Sequence, residues 1–131
     1  MRNALLIGVV AGAASLAGFA TAATMTTAPA DGWTVTNYYK QAVYDDSQKK
    51  VGEVDDVLID KSGRVSGLVV GVGGFLGMGE KDVIMAFSDV HVTKKDNKWW
   101  LTIDESKDSL KAAPGFTYNR DTATWQPAKA S

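Results

Sequence analysis

Five glycines crowd the stretch "GVGGFLGMGEK", Gly71 to Lys81, ahead of a lysine, and a glycine-rich loop followed by lysine is one way a backbone cradles phosphate. The spacing fails that chemistry. Counted from Gly74, the second glycine of a Walker loop falls at Gly79, but Glu80 then stands where the lysine must be, and Lys81 comes one place late. A dinucleotide fingerprint fails too, because its third glycine would have to be Leu76 or Asp82. Both motifs also need a helix N-terminus to hold the anion, whereas "DVIMAF" alternates as a strand does. The glycines therefore read as a turn that needs left-handed backbone or close chain approach. Phe75, Leu76 and Met78 alternate with them, folded over the end of the fold or standing out as an apolar interaction tip.

Other chemistry-bearing residues are scattered. Asp55, Asp56 and Asp60 lack the ligand spacing and terminal glutamate of an EF-hand loop. As strand neighbours, Asp55 and Asp56 point to opposite faces, so they read as solvated carboxylates. His91 is the single histidine and there is no cysteine, which leaves a zinc site without its usual ligands. None of Ser47, Ser62, Ser66, Ser88, Ser106 or Ser109 sits in a nucleophile elbow. No catalytic, metal or cofactor residue is assigned. The aromatics remain: Trp99 and Trp100 are adjacent, so in a strand one faces in and the other out, and Trp125 lies in the tail near Tyr118. With the loop tip, Trp100 and Trp125 are the candidate interaction residues.

The elements that hold these residues begin after a segment that reads as a targeting signal. "MRNALLIGVVAGAASLAGFATAA" carries Arg2, no acidic residue, an apolar core and a small-x-small ending. It is too short and too rich in small residues to span a membrane comfortably. We expect cleavage after Ala22 or Ala23, a periplasmic product and no stable membrane span afterwards. Without cysteine the mature chain has neither a lipoprotein anchor nor a disulfide, so its core must hold it alone. Acidic and basic residues are interspersed, with 14 Lys and Arg against 15 Asp and Glu, and no basic stripe suits nucleic acid.

Residues 23–32, "ATMTTAPADG", read as a flexible leader. From Ala42 to Asp104 the pattern has period two, broken by Asp, Asn, Ser and Gly turns, which predicts six short strands and an all-β barrel over residues 33–104. The spacing slips once between Val54 and Val57, as a bulge would make it. "RVSGLVVGV" is continuously apolar, so it should be covered on both sides. Over residues 105–131, a short helix capped by Asp104 or Ser106, anchored by Leu110 and stopped by Pro114-Gly115, leads to an aromatic tail that should pack on the barrel.

Taken together, "VYD" at Val43–Asp45, "VGEVDDVLID" at Val51–Asp60, Gly63-Arg64-Val65, "GVGGFLGMGEKDV" at Gly71–Val83 and "SLKAAPGFTY" at Ser109–Tyr118 resemble a PRC-barrel domain of the stand-alone exported type of Gram-negative bacteria. The resemblance implies a small six-stranded antiparallel barrel. It carries no catalytic residues. Better-known members, the cytoplasmic domain of the photosynthetic reaction-centre H subunit and the C-terminal domain of a ribosome-maturation factor, dock onto other macromolecules. The resemblance therefore implies a non-enzymatic interaction or assembly module with a protein partner in the envelope, self-association being left open. The alternative is a small-ligand binder using an aromatic groove between barrel and tail.

Overall fold

A computed structural model describes residues 23–73 and 80–128. The expected signal sequence, the loop residues Phe75, Leu76 and Met78, and the last three residues lie outside the described residues. Residues 23–32 are exposed throughout and carry neither helix nor strand.

Among the described residues from Trp33 onward, nearly all regular structure is β. The six expected strands are β1 (Ala42–Tyr44), β2 (Lys50–Ile59), β3 (Val65–Val72), β4 (Lys81–Ala86), β5 (His91–Lys95) and β6 (Lys98–Thr102). A helix, α1 (Lys107–Ala112), follows, and the tail adds a hairpin, β7 (Phe116–Asn119) and β8 (Thr124–Pro127). The sheet thus has eight strands rather than six, in the order β5-β6-β1-β2-β3-β4-β7-β8. All ladders are antiparallel except β1 with β6, which run parallel and pair Val43 with Leu101 and Tyr44 with Thr102.

The turns follow from side chains that accept backbone N–H bonds locally. Asp45 Oδ1 accepts from the amides of Ser47 and Lys49, at 2.8 and 3.0 Å. Asp60 Oδ1 does the same for Ser62 and Arg64, and Gly63 takes the positive φ of 92° that the turn requires. Bonds from the Ser62 hydroxyl and the Arg64 amide hold the Asp60 carboxyl below the usual carboxylate range. Asp96 and Asn97 both have positive φ, the two-residue turn whose twist suits the β5–β6 hairpin.

The core lies inside the wrapped sheet. Val43, Val51, Val54, Leu68, Val70, Val72, Val83, Leu101 and Ile103 are all at most 2% exposed, with Tyr38 and Leu110 beside them. β3 is buried along most of its length, on both faces: Leu68, Val70 and Val72 belong to this core, while Val69 is equally buried on the other side.

The tail packs back on the sheet. Ser106 caps α1 by accepting from the Ser109 amide, and Leu110 is the helix's buried contact. At the other helix end, the Lys81 ammonium donates to the carbonyls of Lys111 and Ala113, where a cation complements the helix dipole. β7 joins β4 through Asp82 and Phe116, and Trp125 Nε1 donates to Asp56 Oδ2 at 2.8 Å.

Candidate functional site

Because Val43 and Leu101 point into the core, strand alternation turns their neighbours Tyr44 and Trp100 outward on the same face. The parallel β1–β6 pairing brings them together, with ring centroids 4.9 Å apart and planes at 53°. Both rings line the floor of an open groove of about 360 Å³. Its walls come from the turn after β1 and from the β5–β6 hairpin, and Asp104 closes one side.

The rim is acidic. Asp45, Asp46, Asp96 and Asp104 line the groove against a single cation, Lys95. Asp45 is held by its own turn, and Asp104 Oδ2 lies 3.3 Å from His91 Nε2. Asp46 and Asp96 have no hydrogen bond or ion pair among the described residues, so their charge faces solvent and the groove. Among the described residues no hydroxyl bonds the His91 ring.

A family model for the PRC-barrel domain matches residues 34–110. The chain belongs to the PRC-barrel family. No curated protein matches it. The matched span includes β1 to β6 and most of α1, so the Tyr44–Trp100 groove lies within the PRC-barrel domain itself, and the β7–β8 hairpin is added outside it.

The residues singled out from the sequence do not form one site in this PRC-barrel protein. Trp100 floors the groove. Trp125 lies in β8, at the far end of the strand order from β5 and β6, packed edge-on against Tyr118 at 5.5 Å and tied to Asp56. Trp99 faces the other way from Trp100, into the edge of the core, where it meets Trp33 at 5.4 Å. After the glycine loop the described chain continues as β4, extended from Lys81, and not as a helix N-terminus of the kind a phosphate site needs.

One reading of the sequence is corrected. Asp55 and Asp56 are half-buried and engaged rather than solvated. Their strand bulges here, Val54 pairing with Val70 and Asp56 with Val69, so Asp55 is the extra residue and simple alternation no longer applies. Asp55, Glu80 and Asp82 gather over Gly71, whose missing side chain leaves them room: a Cβ there would sit 2.5 Å from Asp55 Oδ2 and 2.6 Å from Glu80 Oε2. Among the described residues no three such groups are placed to hold a metal ion. Burial first, then the hydrogen bond and charge of Asp55 and the charge of Glu80, push the Asp82 carboxyl up to about 7, with Lys40 opposing. Lys40 Nζ lies 3.8 Å from Asp55.

A pH dependence follows from this pair. The folded value for Asp82 lies above the ordinary carboxylate value, so the folded chain keeps a proton the unfolded chain has released. The associated stability is complete only below the ordinary value of 3.8 and is lost as pH rises from there through about 7. Asp82 is partly open to water, so screening reduces the loss to about 1–2 kcal/mol. Thermal melts of wild type are expected to drop by about 5–10 °C between about pH 4 and pH 8. Asp82→Asn, whose amide can donate to Asp55 at either pH, should abolish most of that drop. An equal drop in the variant would sink this assignment.

Proposed function

We propose that the protein is a non-enzymatic docking module of the periplasm, a PRC barrel that presents a preformed surface to a protein partner. The Tyr44–Trp100 groove is the observation that carries this reading: two aromatic rings held outward by a strand pair, beside carboxylates of Asp46 and Asp96 that have no partner among the described residues. The N-terminal pattern, with its Arg2, apolar core and Ala20-Thr21-Ala22, supports export. The loop tip at Phe75, Leu76 and Met78 is a second candidate contact on sequence grounds alone. A small-ligand binder is the second reading, favoured by a groove volume within the usual range for small molecules.

The test is affinity capture by the mature protein from envelope extract of the native host. Wild type is compared with Trp100→Thr and with Phe75→Ser/Leu76→Ser, each first shown by circular dichroism to be folded. The expected result is a discrete protein retained by wild type and lost with Trp100→Thr. Capture no different from blank resin would overturn the docking reading. Mass spectrometry of the exported protein's N-terminus checks the compartment, a start at Ala23 or Thr24 being expected.

A further inference from the structure

We propose that the Tyr44–Trp100 groove is a receptor for a basic side chain, an arginine carried on an extended segment of the partner protein; this rests on the docking reading and names the chemistry of the contact. The chemistry comes from three features of the groove. Its floor is an indole beside a phenol, and a guanidinium stacks on an indole face better than on any other side chain. Its rim holds four carboxylates against Lys95, so a cation enters a negative field and an anion is repelled. Among the described residues Asp46 and Asp96 have no internal partner, so they meet an incoming guanidinium without first breaking an ion pair there. Asp96 also sits on a turn with positive φ (53°), so its carboxylate is placed by the hairpin backbone rather than by a floppy loop.

A neutral sugar would use the same aromatic floor, and charge separates the two ligands. A sugar gains nothing from the net negative rim, whereas a cation gains from every carboxylate and loses to Lys95.

The experiment uses the mature chain and two short peptides with the same sequence, one with two arginines and one with citrulline in their place. Citrulline keeps the shape and loses the charge. Binding is read by NMR at the Trp100 indole resonance, assigned by its absence in Trp100→Phe. The arginine peptide is expected to shift this resonance saturably, at least about fivefold tighter than the citrulline peptide, and to weaken severalfold between about 20 and 300 mM sodium chloride. Asp46→Asn/Asp96→Asn should lower its affinity by about fivefold or more, and Lys95→Gln should raise it. Both replacements suit the fold, since Asn tolerates the positive φ at position 96 and Asp46 is exposed. Equal binding of the citrulline peptide, indifference to the carboxylate variants, or a neutral oligosaccharide shifting Trp100 while the arginine peptide does not would each overturn the proposal. If wild type retains its envelope partner and Asp46→Asn/Asp96→Asn retains it equally, the basic-side-chain contact fails while docking stands.

Discussion

Replacing Gly52 by alanine is expected to destabilise the barrel by about 3 kcal/mol, at the upper end of what an added methyl does in a packed interior. In most strands the same change is mildly stabilising, because glycine is the more disordered residue when unfolded. Here the sign reverses for a local reason. β2 and β3 approach so closely that a Cβ on Gly52 would lie 2.3 Å from the Gly71 carbonyl oxygen and 3.0 Å from a Val70 methyl. The first of those atoms is backbone in the middle of a ladder and cannot swing away, so the strands must separate and strain the bonds that pair Gly52 with Val72 and Glu53 with Gly71. Gly71→Ala is the control. The nearest neighbours of its new methyl would be carboxylate oxygens at the ends of side chains, so its cost should be clearly smaller. Urea unfolding followed by tryptophan fluorescence measures both, and an equal or smaller loss for Gly52→Ala than for Gly71→Ala would refute the close-approach account.

Leu101→Ala is expected to cost about 3–4 kcal/mol, through lost burial plus a cavity that the β-framework cannot collapse around. Leu101 is fully buried in β6, paired in parallel with Val43 on one side and antiparallel with Val92 on the other. Both neighbours are fixed by backbone ladders, which limits relaxation. Such a loss is a large share of the stability of a small domain, and the melting temperature should fall by about 15–20 °C. Truncating His91, on the exposed face one pair along the same ladder, should shift it by no more than a few degrees. Calorimetry on the two variants separates the cases.

Much of the barrel could be read before any coordinates. The six strands of the domain announce themselves by alternation between Asp, Asn and Gly turns, and the slip between Val54 and Val57 marks the bulge found between Val54 and Asp56. The unbroken apolar run of β3 announced its two covered faces. What stayed hidden depends on long-range register. The tail's aromatics implied packing, but strands of four residues with Thr and Asn among them carry too weak a signal to name a hairpin, and their partner β4 lies far away in sequence. The sequence shows that one of Trp99 and Trp100 faces outward, with Trp100 as the candidate; Tyr44 was not visible as its neighbour, because only the parallel β1–β6 ladder joins them. Asp55 was misread for a related reason, since period-two logic fails at the bulged residue.

That parallel ladder also dictates an order of events. β1 can zip to β2 early, across a short turn, but its other flank waits for β6, roughly sixty residues downstream, and ordering so long a connection costs chain entropy before any contact rewards it. Until β6 arrives, a three-residue strand with Val43 at its centre offers an open edge to any passing chain. The shortness of β1 is thus a safeguard during folding: it gives a stranger too few bonds to hold, while leaving its own late partner enough to close the fold.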